Sequence, residues 1–242
     1  MSPEARNTAW AAATLVAACA FAASTFVVPD FGGFDPDRFP VPQNDPPVQP
    51  AGYAFAIWGV IYLWLLASAG YGLLRRATAE DWADMRPALV LSLAIGATWL
   101  PVASQSALAA LILIWAMLIP ALLALFRAPL LDRWWARAPL GLYAGWLSAA
   151  SFVALGLNAA GWGLIGEVQV ALLCIIAATL LAAGVQIALQ GVPEYGIAVA
   201  WAFVAIALAN LTGGAFIVLL LALAAAAIMA LLALRAATLT RA

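Results

Sequence analysis

The residues that could do chemistry in this chain favour contact over catalysis. It holds 11 tryptophans in 242 residues, no histidine, and ten basic residues that are all arginine. Without imidazole there is no Ser-His-Asp triad, no histidine-ligated metal or haem, and no histidine proton relay. Cys19 and Cys174 lie inside apolar runs and read as small core residues, neither disulfide nor metal pair. A net charge of −1 with no basic patch offers nothing to nucleic acid. Glu167 is the one carboxylate inside an apolar run. An intramembrane acid is a functional candidate, but this one sits within a turn of the run's end, where it complements a helix N-terminus. What remains is aromatic surface. Phe55, Trp58 and Tyr62 fall at i, i+3 and i+7 and share one helical face. Trp99, Tyr143, Trp146 and Asn158 follow in later apolar runs. Tryptophan faces stack on flat apolar molecules, and a phenol or amide orients them. The plainer reading, helix-packing aromatics and an interfacial belt, is favoured for any single tryptophan; for Trp58 with Tyr62 the ligand reading is favoured.

The elements that must position these residues are membrane spans. At 67% hydrophobic and 9% charged, the composition excludes a soluble domain, where about 25% of residues are charged. Apolar runs at 8–28, 52–74, 87–102, 106–126, 139–159, 164–190, 195–212 and 215–234 give about eight spans, most near the length that matches a ~30 Å hydrocarbon core. The first run resembles a signal peptide with a lipoprotein box ending at Cys19, but it continues to Val28 and reads as a span. Residues 29–50 form the one long loop. It carries Asp30, Asp35, Asp37 and Asp45 against Arg38, and its proline density predicts an extended lid or collar.

Charge fixes the expected topology. With a cytoplasmic N-terminus, Arg6, Arg75, Arg76, Arg86, Arg127, Arg133, Arg137, Arg235 and Arg241 all fall inside, and Arg38 alone outside. Both termini are then cytoplasmic. The last two runs are joined by a tight turn at Gly213-Gly214 and carry almost no flanking charge, so a re-entrant hairpin fits them nearly as well. Glu80, Asp81 and Asp84 read as solvated partners of Arg75, Arg76 and Arg86, and Trp134 and Trp135 as an interfacial belt. Gln169, Thr179, Gln186 and Asn210 read as interhelical hydrogen bonders. The small-residue stripes Gly141/Gly145/Ala149 and Ala222/Ala226/Ala230 suit helix association within or between chains.

Depth, at 1.5 Å per residue, places Trp58 roughly 9 Å and Tyr62 roughly 15 Å below the outer end of the second span, and Trp99 roughly 5 Å below the same face. Asn158 lies within a turn of that face, although such a residue is more often a span-end cap or interhelical bond than a ligand contact. Trp58, Trp99 and Asn158 are therefore expected to share a pocket beneath the loop. Tyr143 and Trp146 enter from the inner side as a floor or a separate packing layer.

The wording of these spans resembles that of the TspO/MBR family, the tryptophan-rich sensory or translocator proteins. Pro50-Ala51-Gly52-Tyr53-Ala54-Phe55, Ile57-Trp58 and Ile61-Tyr62 are similar to the family's second-span P-P-x-W-x-F-x-x-x-W-x-x-L-Y. Trp99 with Pro101 resembles the third-span N-x-x-W-S-P; Leu142-Tyr143-Ala144-Gly145-Trp146 and Leu157-Asn158 resemble the fifth-span P-Y-L-x-W and L-N. Gly96 stands where the family has asparagine, and Leu142 where it has proline. The resemblance implies an all-α integral membrane protein: a five-helix unit over 1–160, with about three further transmembrane helices in 161–242. It also implies a pocket under the first loop for porphyrins, sterols or other flat apolar ligands, and often a homodimer. The expectation is a binding or sensory protein of a bacterial inner membrane, favoured over an integral-membrane enzyme, with a porphyrin-type or other apolar ligand as the candidate cofactor. Its partners are the lipid bilayer, a small apolar ligand, and a second copy or a membrane complex. A transporter or permease for a small amphipathic compound, and a structural subunit of a complex, are the alternatives. Against transport, no span carries paired charges and no internal repeat is visible.

Overall fold

The computed structural model describes residues 2–28, 33–189, 191–212 and 215–239. Asp30, Arg241 and the expected Gly213-Gly214 turn lie outside the described residues. The described residues form helices and turns with no strand. The helices are α1 (Pro3–Val27), α2 (Ile57–Arg76), a one-turn α3 (Glu80–Ala83), α4 (Arg86–Ala103), α5 (Ala107–Arg127), α6 (Arg137–Gly161), α7 (Glu167–Ala188), α8 (Pro193–Ala209) and α9 (Phe216–Leu239). Helix α1 starts earlier than the apolar run because Ser2 caps it, accepting from the Ala5 amide, with Pro3 and Glu4 in its first turn. Helix α5 is capped likewise by Ser106. The second span opens with a 3-10 turn, Gly52–Ala56, so Phe55 lies on that turn and not on the α-helix.

The long helices form two rings sharing one member. Going round the first, α1 packs on α2, α2 on α6, α6 on α5, α5 on α4, and α4 back on α1. The second ring runs α6, α7, α9, α8 and back to α6. As the common axis, α6 has 78% of its most apolar stretch buried, against 28–44% for the other six long apolar helices. A division after residue 160 thus falls at the end of a helix that belongs to both rings.

Among the described residues, seven helices are long and apolar enough to cross a membrane; α8, with 17 residues, is shorter. It still reaches from one end of the bundle to the other. At one end Arg133, in the α5–α6 turn, donates to the Gly191 carbonyl and to Glu194. At the other end Asn210 donates to the Pro47 carbonyl in the long loop. A re-entrant hairpin would not touch both. Helix α8 runs through protein more than lipid, with Tyr195, Ala198, Val199, Ala202 and Phe203 all buried, so its ~25 Å length suffices.

The two ends of the bundle differ. One, the arginine face, carries the α2–α4 and α5–α6 turns. The acidic turn is solvated as the sequence suggests, with Glu80, Asp81 and Asp84 exposed, but Arg76 and Arg86 make their hydrogen bonds elsewhere. Arg86 is buried among backbone carbonyls. Arg76 makes a forked pair with Asp132 at 2.6 and 3.0 Å. Asp132, in a left-handed conformation that aspartate tolerates (φ 53°), also accepts from Tyr71 (3.1 Å) and Trp82 (3.2 Å). It ties the α5–α6 turn to α2 and α3. Trp134 and Trp135 are exposed beside it, stacked on Trp64 and Tyr71, as an interfacial belt would be.

The Arg76 hydrogen bonds, chiefly, and those from Trp82 and Tyr71 hold the Asp132 carboxyl below the usual carboxylate range. Its folded value lies below its unfolded one, so its contribution is fully present above about pH 4 and is lost as pH falls through the folded value. Thermal unfolding at pH 7 is expected to show Asp132→Asn less stable than wild type, with the difference shrinking below pH 4. A difference constant from pH 7 to pH 3 would remove Asp132 from this role.

Small contrasts complete the fold. Cys19 is exposed on α1, not in the core, whereas Cys174 is buried. Thr179 bonds its own helix at Ile175, while Gln186 and Asn210 bond between elements. The Gly141/Gly145 stripe is used inside the chain, against α8. On α9 the buried alanines are Ala222, Ala225, Ala226, Ala233 and Ala236, and Ala230 is exposed.

Candidate functional site: two aromatic cavities beneath a clamped loop

The loop is a seated lid. Phe39 and Val48 are buried against Gly161 and Gly156 of α6, and the Val41 amide donates to the Gly161 carbonyl at 2.9 Å. Next to it, the Gln43 side chain donates to Glu167, whose carboxylate occupies the first turn of α7. That position complements the helix dipole.

Two cavities lie beneath and beside this lid. The lid cavity, about 60 Å³, has Phe34, Gln49 and Pro50 as its roof, and its walls include Phe55, Trp99, Trp146 and Ala202. The second, about 270 Å³, lies against α1 and is lined by Phe21, Thr25, Phe55, Trp58, Tyr62 and Trp99, among others. Phe55 and Trp99 line both and stand between them. The Trp99 indole is fixed by donating to the Ala110 carbonyl on α5 at 3.0 Å.

An aromatic chain connects the walls. Trp58 stacks on Tyr62 with centroids 5.4 Å apart, meets Trp146 edge-on at 6.1 Å, and Trp146 in turn meets Phe55 at 6.1 Å. Edge-on and offset geometries suit the ring quadrupole. Phe21 of α1 touches Trp58, Tyr62 and Tyr143 at 5.8, 4.9 and 5.8 Å. Motif reasoning missed Phe21, yet the sequence held a signal for it at Gly96. A Cβ at Gly96 would lie 2.7 Å from the Phe21 ring, so the absent side chain is what admits that ring.

Of the seven residues singled out by sequence, Phe55, Trp58, Tyr62, Trp99 and Trp146 meet around the cavities. Tyr143 is fully buried and lines neither; Ser92 gives its proton to the Met117 carbonyl, so the Tyr143 hydroxyl donates to Ser92. Asn158 also lines neither, and donates to the Ala107 carbonyl, joining α6 to the start of α5. Some donors at the cavities have no hydrogen bond among the described residues. The Trp146 indole N–H is buried and unpaired, and among the described residues neither the Tyr62 hydroxyl nor the Trp58 indole N–H makes a hydrogen bond. No group of three or more metal-ligating side chains occurs among the described residues.

Comparison with known families decides what this arrangement belongs to. The family model described as TSPO-like protein matches residues 42–235, most of the chain. The chain belongs to the TSPO-like protein family. The matched span starts in the lid and ends at residue 235 within α9, so it leaves out α1 but takes in the other helices of both rings and the lid-clamping end of α8. Family and helices together make this a multi-pass membrane protein of TspO kind, in contact with the lipid bilayer. Among curated proteins and among solved structures, nothing matches.

Proposed function

We propose that this protein binds a flat, largely apolar ligand in the two cavities and acts as a membrane binding or sensory protein. The observation that carries the reading is the pairing of aromatic walls with a buried, unpartnered donor, Trp146 Nε1. A buried donor left unpaired costs about 1–3 kcal/mol, which a ligand acceptor recovers. Small-molecule sites usually measure at least ~300 Å³, and neither cavity alone reaches that. A sterol- or porphyrin-like ligand therefore occupies both, displacing Phe55 or Trp99. By the arginine distribution the arginine face lies in the cytoplasm of a bacterial inner membrane, with both termini there and the lid outside.

Protoporphyrin IX, 9-fluorenone and its carbonyl-free analogue fluorene, titrated into detergent-purified protein with tryptophan emission as readout, test this. Saturable quenching is expected, weakened at least about tenfold in a Trp58→Ala, Trp99→Ala double variant, because two stacking faces are lost. Equal affinity in that variant removes the site. Trp146→Phe is expected to weaken fluorenone about fivefold and leave fluorene unchanged, as loss of one neutral hydrogen bond would.

A further inference from the structure

We propose that α8 is the latch of the lid and the adjustable wall of the lid cavity, so that the second helical ring sets which ligands the site admits. The inference rests on the ligand reading above for its specificity half and stands alone for the latch.

The argument begins with proline. A loop rich in proline has carbonyls but few N–H groups, so its acceptors must find donors elsewhere. Helix α8 supplies them. Asn210 donates to the Pro47 carbonyl at 2.8 Å, and Trp201 Nε1 donates to the Ala54 carbonyl at 3.0 Å. In return the Ala51 amide donates to the Ala205 carbonyl at 3.1 Å. The Tyr53 ring sits edge-on to Trp201, 5.3 Å between centroids. These contacts run along about 13 Å of α8, from Trp201 to Asn210. Gln49 and Pro50, two of the roof residues of the lid cavity, lie in sequence between the clamped residues Pro47 and Ala51. Their height is therefore fixed by α8. Ala202, one residue from Trp201, forms part of the same cavity's wall.

The cavity so enclosed, about 60 Å³, is well below the ~150 Å³ that accommodates benzene. With the latch closed it takes no more than a substituent of a ligand lying against α1. A larger ligand enters only when the bonds to Pro47, Ala51 and Ala54 release. The lid's other footing, Phe39 and Val41 on α6, precedes the clamped segment in the chain and stays in place as a hinge.

Hydrogen exchange of the full-length protein without ligand tests the latch. Trp201→Phe and, as a second variant, Asn210→Ala are expected to speed exchange of the amides at 48–55 by about fivefold each, with α6 protection unchanged as the fold control. Stopped-flow quenching then tests admission: protoporphyrin IX should associate several-fold faster with both variants, and 9-fluorenone less so. Ala202→Leu should weaken protoporphyrin IX at least about tenfold while leaving loop exchange as in wild type. Unchanged exchange in both latch variants overturns the latch, and unchanged protoporphyrin affinity in Ala202→Leu overturns the wall. If no probe quenches the wild type, the ligand reading fails, and the exchange result still decides the latch.

Discussion

Arg86→Ala is expected to destabilise the bundle by about 3–5 kcal/mol, measured by denaturant unfolding in detergent. Arg86 is 1% exposed, and its guanidinium donates to four backbone carbonyls: Gly72, Arg76 and Ala77 at the end of α2, and Asn7 on α1. The last carbonyls of a helix have no partner within it, and together they form the negative end of its dipole. A cation from α4 placed there satisfies them and joins three helices. Truncation strands these buried acceptors, at about 1–3 kcal/mol each and less than additively, and leaves a void beside Trp82 and Met85. Arg86→Lys should restore only part of the loss, because an ammonium has three donors and no rigid fork. A loss under 1 kcal/mol for the alanine variant would mean that the three helices are held by apolar packing alone.

The second large effect is expected at Gly145. A Cβ there would lie 2.3 Å from the Tyr195 carbonyl oxygen and 3.0 Å from the Ala198 Cβ, with no flexible side-chain end to yield. The α6 and α8 backbones touch at this point, and one turn on, the Tyr195 hydroxyl donates to Ser148 at 2.8 Å. Gly145→Ala should cost about 3 kcal/mol, the upper end for overpacking, and Gly145→Val should prevent the second ring from closing. Gly70→Ala and Gly184→Ala are the controls. Nothing lies within 4 Å of a Cβ at either, so each should be neutral or stabilising by up to about 1 kcal/mol. If Gly145→Ala melts with the controls, the α6–α8 contact is not close-packed.

The spans were legible because hydrocarbon thickness leaves a plain mark on sequence: apolar runs of span length, the first five each with an arginine near one end. Rise per residue also gave depth, which is why Trp58 and Trp99 were expected at one level and share a cavity. Azimuth was not legible for lone residues. Asn158 has a compatible depth, but it points across α6 toward α5, and no period in a span buried on nearly all sides reveals that. Arg86 was read as a partner of the solvated acidic turn because opposite charges stand close to it in sequence; its burial depends on the end of α2 arriving beside it. Phe21 lay in an alanine-rich run with no motif, and only its complement, Gly96, marked the place.

The shared position of α6 also has a consequence for the order of synthesis. All five helices of the first ring are complete once Gly161 has been made, but α8 follows only after α7. At ~5–20 residues per second the interval is a few seconds. During it, the Gly141–Gly145–Ser148 face of α6 has no protein partner and the lid lacks its α8 footing. A nascent chain therefore passes through a half-built state with a notch open to lipid, and closing that notch is the step in which the lid acquires its second support.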